Sequence, residues 1–272
     1  MQSSNIILRR NNVNVAGKGD NILFLAHGFG CDQHMWRFLT PELTKHFTVI
    51  LFDYVGSGAS DISQYDTSRY SRLEGYAEDI IEICRELSLS DAVFVGHSIS
   101  CSIGAMVAAK EPSFFSKLIM VCPSPCFLNI PPEYMGGFDK ENLLELLQLM
   151  EKNYIGWAEY LAPLVIGDEE SEELIGELSS SFCSVNPLIA KRFAEVTFLS
   201  DNRNLFKKVK HPTLIIQSAN DALAAISVGE YLARVMRNSE LKIIPADGHC
   251  LHMTNPEAIV NLIINYAQDI EG

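Results

Sequence analysis

The feature that most constrains the fold is a regular alternation of short apolar runs with segments of helical periodicity. The apolar runs are rich in β-branched residues and lie at 21–27, 47–53, 92–97 and 117–122. Apolar residues recur at helical spacing in 72–87 and 99–110, which lie between these runs. Such alternation is typical of β-α-β units, so the sequence predicts an α/β fold with a mostly parallel, doubly wound sheet.

The strand pattern stops between about residue 124 and residue 204 and then resumes. Within this interval the segments with the pattern of amphipathic helices are 141–165, 171–182 and 187–199. After it come strand-like runs at 213–219 and 241–246, with helical segments near 226–236 and 256–268. We therefore predict one core formed by residues 1–123 and 204–272, with residues 124–203 inserted as a helical cap.

Composition and charge argue for a folded chain and against several kinds of partner. Apolar residues make up 47% of the chain and charged residues 20%, a balance that supports a large buried core. The net charge of −13 and the pI near 4.9 disfavour binding to nucleic acid. No run has the apolar length of a signal peptide or a membrane span, so we expect a cytoplasmic protein without membrane contact.

The cysteines carry no metal-binding signature. They number seven, they are scattered, and they lack the Cys-x-x-Cys or Cys/His spacing of a zinc site. We expect buried thiols in a reducing compartment, because cytosolic proteins rarely keep structural disulfides.

Ser98 stands between the apolar run 92–97 and the helical segment 99–110, within Gly-His-Ser-Ile-Ser. A serine in a strand–turn–helix context with small neighbours is typical of a nucleophile elbow, which raises the hydroxyl above the carboxyl edge of the sheet. Gly96 relieves crowding at the turn, whereas Ser100 occupies the position where the general pattern has a second glycine. A serine that caps a helix after a buried strand gives the same pentapeptide, so the motif alone leaves both readings open.

Two residues further along complete a possible catalytic triad. Asp221 follows the run 213–219 and His249 follows the run 241–246, which gives the chain order Ser, Asp, His. In that arrangement His249 takes the Ser98 proton and Asp221 fixes the imidazole tautomer. Asp247 lies beside His249 and is a rival for the acidic role, but its position at the end of a strand suits a turn better.

The loop His-Gly-Phe-Gly at 27–30 completes the predicted site. It supplies one backbone N–H of an oxyanion hole, at Phe29, and the residue after the nucleophile, Ile99, supplies the other. The glycine-rich segment 53–60 lacks the lysine of a phosphate loop and is interpreted as a turn. The remaining histidines near the site are interpreted as structural, and we expect neither metal nor cofactor; they are His27, His97 and His252.

With these residues in place, the chain resembles the RsbQ family of bacterial α/β-hydrolases and its plant relatives, the karrikin and strigolactone receptors. The likeness spans nearly the whole chain and rests on HGFGCDQHMW, VILFDYVGSG, FVGHS, MVCPSPCFLN, PPEYMGGF, EKNYIGWA and DGHC. The resemblance implies an α/β-hydrolase fold with a four-helix cap inserted after the sixth strand. It also implies a deep apolar pocket above the triad, lined by Phe29, Phe127, Phe138, Trp157 and Phe198.

The function implied by the resemblance is slow serine hydrolysis of a small hydrophobic ester or lactone-like ligand. In the RsbQ family this activity is linked to stress signalling through a PAS-domain phosphatase that activates a sigma factor. Phe127 stands where the relatives resemble one another in carrying tyrosine, and without the family the aromatic residues would be read as ordinary cap core. The alternatives left open are a ligand-sensing, partner-binding protein with little turnover and a lyase or carbon–carbon hydrolase on the same fold.

Overall fold

The computed structural model describes residues 4–167 and 171–269. Its centre is a seven-stranded sheet with the order β1-β3-β2-β4-β5-β6-β7. The strands are β1 Asn14–Ala16, β2 Ile22–Ala26, β3 Thr48–Leu51, β4 Ala92–His97, β5 Phe115–Val121, β6 Thr213–Asn220 and β7 Ser239–Asp247. Strand β1 is antiparallel to β3, and all other neighbours are parallel. Every residue of the central strand β4 is buried, as expected for a strand covered on both faces.

Helices cover both faces of the sheet. The helices in the described residues are α1 Ser4–Arg10, α2 Thr40–Leu43, α3 Leu73–Glu86, α4 Ile99–Lys110, α5 Lys140–Lys152, α6 Tyr154–Ile166, α7 Glu172–Ser184, α8 Pro187–Phe198, α9 Arg203–Phe206, α10 Ile226–Val235, α11 Leu251–Thr254 and α12 Pro256–Ala267. Phe24 and Phe94 point to the face covered by α3 and α4, whereas Leu23 and Val95 point to the face covered by α12. The predicted mostly parallel, doubly wound α/β architecture is confirmed.

Four helices, α5 to α8, lie between β5 and β6. They therefore follow the fifth strand of the sheet, so the predicted insertion after the sixth strand was one strand too high. The N-terminal side contributes fewer strands because residues 4–10 form α1. Arg10 in α1 pairs with the buried carboxylate of Asp79 in α3 at 3.2 Å, which anchors this segment on a helix rather than at a sheet edge.

Polar contacts join the helix α7 to the core below it. The Ser181 hydroxyl donates to the carbonyl of Gly30 at 2.8 Å, and Arg37 forms an ion pair with Glu177. Gly30 belongs to the loop that carries Phe29, so α7 is bonded directly to the loop that borders the predicted site.

The state of the cysteines and the lengths of the helices relate to the expectations drawn from composition. Six of the seven cysteines are buried, Cys183 is exposed, and all are free thiols. Within residues 4–167 and 171–269, no helix combines the length and apolarity needed to cross a bilayer.

Candidate active site

Ser98 lies at a sharp turn between the end of β4 and the start of α4. Its backbone has φ 56° and ψ −121°, a left-handed conformation that a residue other than glycine rarely adopts and that is characteristic of strained functional turns. Gly96 permits this turn because a Cβ there would lie 2.7 Å from the Phe94 ring and 3.0 Å from the Ser100 backbone. The elbow geometry therefore combines a strained backbone at Ser98 with close packing that requires a glycine at position 96.

The structure brings together the three side chains of the predicted triad, although they lie far apart in the chain. The Ser98 hydroxyl lies 2.7 Å from Nε2 of His249, and Nδ1 of His249 lies 2.7 Å from Oδ2 of Asp221. All three residues are buried. With Nδ1–H donating to the carboxylate, Nε2 carries the lone pair that accepts a proton from Ser98.

Asp221 is held by the loop that follows β6. Its Oδ1 accepts hydrogen bonds from the backbone N–H of Leu223 at 2.8 Å and of Ala224 at 3.0 Å, which leaves Oδ2 for His249. The rival residue, Asp247, lies at the end of β7 and accepts a hydrogen bond from the Asn220 amide at 2.6 Å. The geometry therefore favours Asp221 over Asp247 as the partner of the imidazole.

The two predicted oxyanion-hole donors border the same serine. Ile99 is the first residue of α4, so its N–H has no partner within the helix, and Phe29 lies in a turn closed by the Cys31 N–H and the Gly28 carbonyl at 3.4 Å. Neither N–H of Phe29 or Ile99 donates to an acceptor among residues 4–167 and 171–269. Helix α4 adds the positive end of its dipole at Ile99, which favours negative charge on an oxygen bound there.

The Ser100 side chain forms buried hydrogen bonds that the sequence did not predict. Its hydroxyl donates to the His27 carbonyl and lies 2.7 Å from the Tyr54 hydroxyl, with all three residues buried. The chain of bonds ties α4 to the end of β2 and to the segment after β3. A glycine at position 100 would leave the Tyr54 hydroxyl without this partner.

A cluster of three histidine rings lies at and behind the predicted base. The His97 ring centroid is 4.9 Å from that of His249 and 4.4 Å from that of His252, and the His252 ring centroid lies 4.9 Å from that of Trp36. Burial, with contributions from the neighbouring histidines, lowers the pKa of His97 well below its usual value. Burial lowers the pKa of His252 to about 3, assisted by His249 and Arg37. Both rings are therefore neutral.

His97 also fixes the loop that carries the predicted base. Its neutral ring donates a hydrogen bond from Nε2–H to the backbone carbonyl of His249 at 2.9 Å. Its Nδ1 lies against Gly28, where an added Cβ would approach to 2.4 Å. His97 thus packs between the oxyanion loop and the histidine loop and sets their spacing.

A small, narrow cavity lies directly above Ser98. Its volume is about 20 Å³, close to the space of one water molecule. The wall is mostly apolar and consists of Phe29, Cys31, His97, Ser98, Phe127, Leu161, Val165, Leu178, Phe182, Thr197, Phe198, Leu223, His249 and Cys250. Cys31 and Cys250 were missed as wall residues, although each directly follows a predicted site motif.

The structure separates the predicted pocket aromatics into two groups. Phe127 and Phe198 lie on the cavity wall with Phe29, and their rings contact each other at 5.2 Å. Trp157 lies outside the wall and packs behind it, against Phe29 at 6.0 Å and Phe182 at 5.2 Å. The placement of Trp157 in the pocket was wrong because Phe182 and Phe29 stand between it and the cavity.

Phe138 lies elsewhere, in an open groove of about 300 Å³ lined mainly by helices α5 and α6. Its placement on the cavity wall was therefore also wrong. Leu161 and Leu223 border both the groove and the cavity, so this pair of side chains separates the two spaces. An opening at these leucines would connect Ser98 with the outer groove.

One cluster has the residue types of a metal site. The ligand atoms of Cys122, Asp221 and His249 lie within 4.8 Å of one another. His249 and Asp221 are already bonded to each other, and burial together with the Asp221 charge raises the pKa of the Cys122 thiol well above its usual value. The protonated thiol and the engaged imidazole do not fit a resident metal ion.

Comparison with known proteins places this geometry in a family. The family model described as "alpha/beta hydrolase fold" matches residues 21–256. Among curated proteins, the chain is 36% identical to Karrikin insensitive 2 receptor CA of Petunia hybrida, covering 96% of this chain and 97% of the relative. It is 34% identical to a strigolactone esterase of Arabidopsis thaliana, again covering 96% and 97%. A solved structure of a hydrolase from Oleispira antarctica, olei00960, superposes with a TM-score of 0.96 at 53% identity over 97% of both chains.

These matches confirm the resemblance to the plant karrikin and strigolactone proteins, while the likeness to RsbQ in particular stays a prediction. The matched region contains β2 to β7 and all three residues of the predicted triad. By sequence match and by architecture, the chain belongs to the α/β-hydrolase family.

Proposed function

We propose that this protein is a serine hydrolase that cleaves a small apolar ester or lactone with the triad Ser98, His249 and Asp221. The observation that carries the proposal is the pair of 2.7 Å contacts from Ser98 Oγ to His249 Nε2 and from His249 Nδ1 to Asp221 Oδ2. The esterase name of the Arabidopsis relative and the hydrolase title of the Oleispira structure support the reaction class.

In the proposed reaction, Ser98 Oγ attacks the ester carbonyl as His249 Nε2 takes its proton. The oxyanion of the tetrahedral intermediate accepts hydrogen bonds from the N–H groups of Phe29 and Ile99. The alcohol leaves with the proton from His249, and an acyl group remains on Ser98. Water then attacks this acyl-enzyme, again losing a proton to His249, and the acid is released.

The cavity supports a small and apolar acyl group. Phe29, Phe127, Phe182 and Phe198 surround the space above Ser98, and its volume of about 20 Å³ leaves little room before side chains move. Binding of a substrate therefore requires movement of the cap segment, which we assign to residues 124–203, through a change at Leu161 and Leu223. Phe127 has no hydroxyl, so it cannot hydrogen bond to a polar ligand group.

The test is time-resolved intact mass after addition of p-nitrophenyl acetate to wild type, Ser98→Ala and His249→Ala. We expect rapid acetylation of wild type, no adduct on Ser98→Ala, and strongly slowed acetylation of His249→Ala. Equal adduct formation in wild type and Ser98→Ala would place the nucleophile elsewhere. Absence of both adduct and nitrophenol release beyond the Ser98→Ala background would remove simple ester hydrolysis as the function.

A second candidate function is ligand sensing with little turnover. It is supported by the small volume of the cavity, because a ligand larger than a water molecule needs side chains or helices of the proposed cap to move, and by the receptor name of the Petunia relative. In this version a partner, such as the PAS-domain phosphatase that the RsbQ resemblance implies, binds the displaced cap in a stress-signalling pathway. If Ser98→Ala still supports partner activation in cells, binding rather than hydrolysis carries the signal; if it does not, turnover is required.

A further inference from the structure

Among the wall residues that the structure describes, Thr197 and the predicted nucleophile Ser98 are the two that carry a hydroxyl group. Thr197 lies in the last turn of α8, is 1% exposed, and borders the same cavity as Ser98. Its hydroxyl is buried and has no hydrogen-bond partner. Phe127 and Phe198, which lie on the same wall, offer no polar side-chain atom.

A buried hydroxyl without a partner is costly for the free protein. Leaving such a group unsatisfied typically costs about 1–3 kcal/mol, so most are paired within the protein, with water, or with a ligand. A threonine inside a helix often donates to the carbonyl four residues earlier, which here is that of Phe193. The Thr197 hydroxyl does not make that bond.

We propose that Thr197 is a specificity-determining residue whose hydroxyl donates a hydrogen bond to an ether, carbonyl or lactone-ring oxygen of the substrate, separate from the scissile carbonyl. The inference rests on the proposed hydrolase function and narrows its substrate class. An acceptor oxygen suits the Thr197 hydroxyl, since this hydroxyl has a proton to donate and no acceptor for it among the described residues. The favoured substrate is therefore mostly apolar with one additional acceptor oxygen.

The experiment uses three p-nitrophenyl esters of equal acyl length. They are the pentanoate, the 3-methoxypropanoate and the ethoxyacetate, in which oxygen replaces the fourth or the third carbon of the acyl chain. For each enzyme the ratio of kcat/KM for an ether ester to kcat/KM for pentanoate is measured, and comparing this ratio between enzymes cancels the intrinsic reactivity of the esters.

In Thr197→Val, which keeps the shape but lacks the hydroxyl, we expect this ratio to fall about fivefold for at least one ether position, as loss of one neutral hydrogen bond predicts. Thr197→Ser, which keeps the hydroxyl, should retain the wild-type ratio. Unchanged ratios for both ethers in Thr197→Val would overturn the inference.

Thermal unfolding of the free proteins gives an independent readout. Thr213 is a matched control, because it is also fully buried but its hydroxyl donates to the His211 carbonyl at 2.9 Å. We expect Thr213→Val to lower Tm and Thr197→Val to raise it. A lower Tm for Thr197→Val would show that its hydroxyl already has a partner in the free protein and would also overturn the inference.

A failure of the proposed function gives a different result. If wild type hydrolyses none of the three esters, the same comparison is made by ligand-induced Tm shifts in Ser98→Ala and in Ser98→Ala combined with Thr197→Val. A larger shift from an ether ester than from pentanoate, present with Thr197 and absent with valine, would support the Thr197 contact while the hydrolase proposal fails. Equal shifts in both proteins would refute the contact.

Discussion

Replacement of Asp221 by asparagine tests how the imidazole of His249 is held. In the protein, Oδ1 of Asp221 accepts two backbone N–H groups, from Leu223 and Ala224, so the asparagine carbonyl oxygen takes that position. The amide nitrogen then lies where Oδ2 contacts Nδ1 of His249 at 2.7 Å. Because the amide donates hydrogen bonds, Nδ1 must become an acceptor, and the proton moves to Nε2.

The expected decrease in kcat follows from this change of tautomer. With Nε2 protonated, His249 cannot accept the Ser98 proton across their 2.7 Å contact, so general-base catalysis is lost while the oxyanion donors stay in place. Such a replacement in a serine triad typically lowers kcat by about 10⁴-fold, which corresponds to about 5.4 kcal/mol in the activation barrier. The fold should persist, since the two backbone bonds to Oδ1 are retained.

The assay is the hydrolysis of p-nitrophenyl acetate under single-turnover and steady-state conditions, with Tm measured in parallel. Asp247→Asn is the matched control, since Asp247 contacts the Asn220 amide and should leave kcat near the wild-type value. If Asp221→Asn keeps more than about a tenth of the wild-type kcat, Asp221 does not set the tautomer as argued. A large loss in Asp247→Asn with an unchanged Tm would transfer that role to Asp247.

Three further substitutions test the surroundings of the site. Ser100→Ala removes the partner of the buried Tyr54 hydroxyl and should lower the unfolding free energy by about 1–3 kcal/mol in urea titrations. Adding Tyr54→Phe should recover part of that loss, whereas strictly additive losses would argue against a shared bond. The folded-state pKa of His252 is about 3 against a usual 6.5, so below pH 6.5 the unfolded chain takes up a proton that the folded chain does not, and stability falls as pH decreases. Between about pH 6.5 and about pH 5, the unfolding free energy of His252→Phe should fall by about 2 kcal/mol less than that of wild type. Equal decreases in the two proteins would contradict a lowered pKa at His252. Leu161→Ala opens the wall between groove and cavity and should raise kcat/KM for p-nitrophenyl hexanoate relative to acetate, with a loss of about 2–5 kcal/mol in stability; an unchanged ratio would count against a passage at this point.

The sequence predicted the elements around Ser98 closely. Strand 92–97 and helix 99–110 were predicted with the bounds that the structure has. The strand is a short, continuous apolar run, and its switch to a helix is marked by Gly96 and Ser98. The parallel order of the strands also follows from the pattern, because parallel strands need crossover helices between them.

The cavity wall was predicted less well. Two of the aromatic residues expected on it lie elsewhere, Phe138 in the outer groove and Trp157 behind the wall, whereas Thr197 and Phe182 are wall residues that the sequence did not indicate. Trp157, Phe182 and Thr197 lie in helices at ordinary spacing, and Phe138 lies just before α5. Helical spacing does not indicate how a helix is rotated relative to the core beneath it.

The amino-acid sequence alone was enough to predict the residues of the triad. The strand–turn–helix pattern at Ser98 follows from local periodicity, and the order Ser98, Asp221, His249 is read directly from the chain. The contacts between these side chains could be read only from the folded chain: His249 meets Asp221 rather than Asp247, the neutral ring of His97 packs against that of His252, and the Thr197 hydroxyl on the cavity wall is unpaired. These features depend on how segments from different parts of the chain pack against one another, and packing of that kind is set by the whole core rather than by any one stretch of chain.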